Sequence, residues 1–217
     1  MSNSRDSPFI FTSHNLPKKR KEQYLWVLTH IMNTINFNGQ NLHKVPKTKK
    51  DIYKSLNYIT NLLNIKKPDL VFAPICRALD EPALEGLCVQ KKEVSSLKND
   101  LVIINIEMIK KEPNPDFLII GTLAHELRHL WQYSIDFTNN LLATTSVDNP
   151  AEIDADAFAA YIISCSFNIN IEEAVKIYNY DMTLYPYSIE KAFINSICLN
   201  ARLNAAKKLK ETYNKWI

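Results

Sequence analysis

The sequence predicts an α+β fold, on three observations. Apolar residues recur at spacings of three and four up to residue 63 and again after residue 115. Between these stretches lie three short runs rich in Val, Leu and Ile, set apart by Pro, Asp, Ser and Lys. Glycine is scarce, at three of 217 residues, which argues against a sandwich or barrel built from many tight turns. Helices, then a small sheet, then helices is the segregated order of an α+β chain.

The elements follow in order. Met1 to about Leu16 is polar and irregular, an arm with no periodicity. From Pro17 a helical stripe runs through Leu25, Leu28, Met32 and Ile35, and Asn36 to Lys50 is turn-rich and basic. Asp51 to Leu63 is a second amphipathic helix, with Ile52, Leu56, Ile59 and Leu63 on one face. The character changes at Lys66-Lys67-Pro68, so residues 1–66 are expected to form an arm and helical extension and residues 67–217 a core in one compact unit. Strands are expected at Asp69 to Phe72, Leu84 to Gln90 and Leu101 to Ile106. After Pro113-Asn114-Pro115 the period is helical through Phe117, Ile120, Leu123, Leu127 and Trp131. Further helices are expected from Pro150 to about Ser166, from Ile171 to Tyr178 and from Ser188 to about Tyr213. The last would bury Ile189, Phe193, Ile197, Ala201 and Ala205.

Composition excludes several functions. Gly39, Gly86 and Gly121 stand at least 35 positions apart, whereas phosphate-cradling loops need glycines a few residues apart, so a Walker loop and a dinucleotide fingerprint are both absent. The net charge of +3 is too small to imply nucleic acid, and the basic strings Pro17 to Lys21 and Lys47 to Lys50 read as solvated helix entrances. The chain has 22 Asn and 21 Lys but 5 Arg, a bias that follows codon usage in an AT-rich genome. A phosphate binder would favour the arginine fork. Cys76, Cys88, Cys165 and Cys198 show no metal-ligand spacing. With no signal peptide and no run of eighteen apolar residues, the expectation is a cytoplasmic chain with free thiols and no membrane partner.

The chemistry concentrates in Thr122-Leu123-Ala124-His125-Glu126-Leu127-Arg128-His129-Leu130. Residues four apart on a helix lie one above the other, so His125 and His129 can point ring nitrogens at one cation. Glu126 follows the first ligand, where a carboxylate can act on a zinc-activated water. Catalytic zinc wants a third protein ligand. His14, His30 and His43 lie upstream without partner spacing, whereas Glu152 follows His129 by 23 residues, room for a helix end, a loop and a return. Asp156 is one turn beyond Glu152 and about 40° round from it, while Asp154 is about 200° round and points away. Asp156 therefore reads as the carboxylate that receives the other N–H of a ligating imidazole, His125 in preference to His129. Glu152 has a competing role. With Asn149 three residues before it and Pro150 between, it also has the form of a helix-capping box.

HELRHLWQ followed by NPAEIDADAFAAYI resembles the zinc peptidases of the ImmA/IrrE type, gluzincin-like proteins with short strands before the HExxH helix. The likeness covers about Asp69 to Ile163. It implies a zincin-like core, to which this chain adds extra N- and C-terminal helices, with Zn2+ held by His125, His129 and Glu152, Glu126 as general base, and Asp156 supporting the ligands. It further implies an endopeptidase whose partner is a specific intracellular protein substrate, a repressor or other regulator. Two other functions fit the same motif: a zinc-binding regulatory protein that does not cleave, and a zinc hydrolase of a small amide. The oxyanion-stabilising residue is open among Tyr133, Tyr161 and Tyr180, with Arg128 at the side of the histidine face.

Overall fold

The computed structural model describes residues 49–73, 75, 84–135, 149–179 and 189–213, the side chains of 49–51 and 189–194 excepted. The expected arm and first helix, the turn-rich basic stretch up to Thr48, His14, His30, His43, Cys76 and Tyr180 lie outside them. The described residues fall into two compact units, one running up to Pro113 and the other from Asn114 onwards. The compositional boundary at 66 and 67 falls within the first.

In the first unit, helix α1 spans Lys49–Leu63. Its periodic residues Ile52, Leu56, Ile59 and Leu63 are all buried. The helix stops at Asn64, whose left-handed φ of 51° lets Ile65 N–H reach back to the carbonyl of Thr60. Strands β1 (Asp69–Phe72), β2 (Gly86–Val89) and β3 (Leu101–Ile104) form a mixed sheet in the order β1-β3-β2. β1 runs parallel to β3, with Asp69 opposite Leu101, and β2 runs antiparallel to it, with Gly86 opposite Ile104. The central strand Leu-Val-Ile-Ile is buried at all four positions, as a strand covered on both faces must be.

β3 ends two residues earlier than its sequence suggests. Asn105 turns its side-chain oxygen to the N–H of Met108 and caps a short helix α2, Ile106–Ile109. Its amide nitrogen donates to the carbonyl of Leu84, so the same residue ties the start of β2 to the end of β3.

The second unit is helical: α3 (Pro115–Ser134), α4 (Pro150–Phe167), α5 (Ile171–Tyr178) and α6 (Ile189–Tyr213). α3 starts with Pro at its first position behind Asn114, and α4 starts the same way behind Asn149. α4 packs against α3, α5 and α6. Accordingly Ala155 and Phe158 to Ile163 are buried around its circumference.

α6 departs from expectation. Ile197 is 51% exposed, and the buried row is Cys198, Arg202 and Ala206. The helix is rotated by one residue relative to its apolar pattern. Arg202 pairs with Asp156 of α4, and a guanidinium in that pairing must lie on the packed side. No described helix is long and apolar enough to cross a membrane.

Candidate metal centre

The site is built where α3 and α4 touch. His125 and His129 sit one turn apart on α3, and their Nε2 atoms approach to 2.8 Å. Glu152, in the first turn of α4, brings Oε2 to 3.3 Å from His125 Nε2 and Oε1 to 3.6 Å from His129 Nε2. The carboxylate faces the histidines, while the cap of α4 is supplied by Asn149, whose Oδ1 accepts from Ala151 N–H. One ligand atom from each of the three residues lies within 4.8 Å of the others, and no other such group of three occurs among the described residues. Small Ala155 and Ala159, both fully buried on α4, leave room for the close helix approach.

The backs of the rings are engaged as well. His125 Nδ1 lies 2.9 Å from Asp156 Oδ1. A carboxylate only accepts, so its charge favours a proton on this nitrogen, although the N–H is not directed along the line to that oxygen. His129 Nδ1 lies 2.8 Å from Gln132 Oε1. The Gln132 amide is oriented unambiguously, because its Nε2 donates to two acceptors, the Ala151 carbonyl at 2.9 Å and Asp154 Oδ2 at 2.8 Å. His129 therefore also carries its proton on Nδ1. Two imidazole lone pairs and a carboxylate converge on one point in a mostly buried site, and that arrangement needs a positive charge at its centre.

Burial opposes the charge on His125, but Asp156 and Glu152 outweigh it and hold the imidazole well above its ordinary range. Burial likewise opposes ionisation of Glu152, and the charges and hydrogen bonds of His129 and His125 overcome it, holding the carboxyl well below its usual range. A zinc ion would have to displace the His125 proton. As pH falls through the raised His125 value the proton wins, and as pH rises the cation wins. Zinc affinity is expected to climb by up to about tenfold per pH unit below the raised His125 value. Chelator competition at about pH 6, 7 and 8 measures this, and a flat profile would exclude His125 as the displaced base.

Glu126 follows His125 on α3 and is 8% exposed. Arg128 is not free to reach a substrate. Its Nε and Nη2 donate to Asp154 at 2.7 and 3.0 Å, Nη1 donates to Tyr213 Oη at 3.2 Å, and its guanidinium lies 3.7 Å from the centre of the Trp131 ring. Tyr161 is fully buried, and its ring stacks on that of Tyr213 at 5.6 Å. Tyr133 is half-buried, with its ring 6.5 Å from that of His129.

Four residues that matter here were not found by spacing. Gln132 was within reach of it, being one turn beyond His129 on the same face. Asp154 is not among the three converging donors, yet it meets the histidine-bearing helix, accepting from Gln132 and Arg128. Arg202 comes from α6, and no local pattern links it to Asp156. Tyr178 ends α5 with its ring 6.1 Å from that of His125. Its approach depends on Gly121, where an added Cβ would lie 2.5 Å from Tyr178 Cδ2 and 2.8 Å from Ile163 Cδ1. Gly121→Ala should therefore cost about 1–3 kcal/mol through overpacking, more than the helix gains from alanine. A denaturant titration showing unchanged or higher stability would contradict that close approach.

The donors fit zinc. Imidazole nitrogens and a carboxylate are its usual partners in open three-ligand sites, and neighbouring ligands around a tetrahedral zinc stand about 3.3 Å apart. The separations of 2.8, 3.3 and 3.6 Å bracket that value. Fold and site together define an α+β protein with a candidate two-histidine, one-glutamate metal centre. The chain matches no protein-family model, no curated protein and no solved structure.

Proposed function

We propose that this protein is a zinc-dependent endopeptidase that hydrolyses peptide bonds of a specific protein, with a transcriptional regulator as the class of substrate. The observation that carries the reading is the convergence of His125 Nε2, His129 Nε2 and the Glu152 carboxylate, with His129 Nδ1 hydrogen-bonded to Gln132 and His125 Nδ1 beside Asp156. The pairing of an HExxH helix with a Glu-bearing helix supports a zincin-like core of the ImmA/IrrE kind for the helical unit. Bound zinc would supply an acidified water and polarise the scissile carbonyl.

The chain's own residues supply the rest. His125, His129 and Glu152 would hold the cation, with Gln132 behind His129 and Asp156 beside His125 to restrain the two rings. Glu126 takes a proton from the attacking water at its carboxylate and passes it to the departing amine nitrogen, so no covalent enzyme intermediate is needed. Tyr133 and Tyr178 have rings 6.5 and 6.1 Å from those of His129 and His125 and are the candidates for steadying an oxyanion.

The test is incubation of the zinc-loaded protein with candidate regulators, wild type beside Glu126→Gln. Discrete fragments from the wild type alone are the expected result. Turnover of short amides with intact protein left untouched would favour a small-molecule hydrolase. A cellular effect that survives Glu126→Gln would instead mark a zinc-binding regulator that does not cleave.

A further inference from the structure

Beneath the ligand histidines run two supports that are not alike. His129 leans on Gln132, a neutral amide from its own helix, anchored in turn to α4. His125 leans on Asp156 of α4, and the second oxygen of that carboxylate receives Arg202 Nε–H from α6 at 2.7 Å. Arg202 is 2% exposed in the buried row between Cys198 and Ala206, and its Nη1 donates to the Cys198 carbonyl at 3.3 Å. A guanidinium is costly to bury, yet it holds this position while the apolar Ile197 of the same helix is 51% exposed.

We propose that Arg202 is a positioning residue for the metal ligand His125, acting through Asp156. The inference rests on the metal reading given above. The physical reason is a missing constraint. The torsion that rotates an aspartate carboxylate is broad and nearly two-fold, so one imidazole contact leaves it loose. A planar guanidinium, itself tied to the Cys198 carbonyl, holds Oδ2, and Oδ1 then has one place to be. Oδ1, 2.9 Å from His125 Nδ1 though off its N–H direction, then bounds the tilt of the ring and with it the aim of Nε2 at His129 Nε2 and Glu152. One ligand of the centre is thus oriented from a helix that contributes no ligand. A merely structural arginine would fasten α6 to α4 and leave the His125 ring unaffected.

The experiment compares zinc affinity by chelator competition, and the visible spectrum of the cobalt(II)-loaded protein, in the full chain carrying Arg202→Met, Asp156→Asn or both. Unfolding by urea without metal reports stability separately. Arg202→Met is expected to weaken zinc by about tenfold, the lower end of second-sphere effects, and to change the cobalt spectrum. In the Asp156→Asn background the same change should cost no further affinity, because its route to the metal is already cut. Should Arg202→Met fail to fold, Arg202→Lys carries the test. A lone ammonium leaves the carboxylate free to rotate, so a severalfold loss and an altered spectrum are expected. Affinity and spectrum like wild type in the folded variant overturn the proposal, as does a loss that persists undiminished in the Asp156→Asn background. Failure of the wild type to bind zinc or cobalt would overturn the metal reading itself, and this inference with it.

Discussion

Glu152→Ala should strip the protein of zinc. Wild type and Glu126→Gln are expected to retain about one zinc per chain through dialysis, because Glu126 is not a ligand. Removing Glu152 takes one of three converging donors, so the loss should exceed the roughly 10–100-fold typical of changes behind the ligands. Elemental analysis of the three purified proteins decides the matter. A Glu152→Ala protein that keeps its zinc would mean that His125 and His129 recruit a different third donor. Glu152 faces both imidazoles and does not cap its helix, so the structure supplies no reason for it to be dispensable.

The second large effect concerns stability. Arg128→Ala should lower the unfolding free energy by about 3–5 kcal/mol, the cost of removing one partner from a buried ion pair. The Arg128 side chain is 6% exposed and Asp154 21%, and their contact is two-pronged. Truncation also removes the guanidinium from the Trp131 face and the donor to Tyr213. Urea titration of the metal-free protein measures it, with Arg128→Met as a control that refills the volume over Trp131. A loss below about 1 kcal/mol would place the pair among surface salt bridges in its energetic weight. Because Asp154 also accepts from Gln132, the same substitution should loosen the support behind His129.

Much of this was legible in the sequence, for reasons of range. Helix faces and strand runs depend on residues a few positions apart. α1 buries its predicted row, β1 has its predicted limits, and α5 spans Ile171–Tyr178 as its periodicity indicates. The ligand candidates were legible too, because His125 and His129 share a turn and Glu152 and Asp156 share another, and the structure brings all four together. Groups that meet only after packing were not legible. Arg202 stands 46 residues from Asp156, and the apolar pattern of α6 pointed to a different face. β3 stopped short because Asn105 caps a helix, and asparagine inside an apolar run does not announce that role.

The three non-glycine residues with positive φ among those described are all asparagine: Asn64, Asn114 and Asn168. Two of them end helices, at positions where glycine is the commoner choice. Asparagine tolerates the left-handed region at a modest conformational cost that glycine does not incur. In a chain with 22 asparagines and three glycines, the same backbone bends are made from the residue in ready supply. Composition thereby reaches down to individual torsion angles. At two helix ends, Asn64 and Asn168, a single exchange for glycine is expected to relieve that conformational cost.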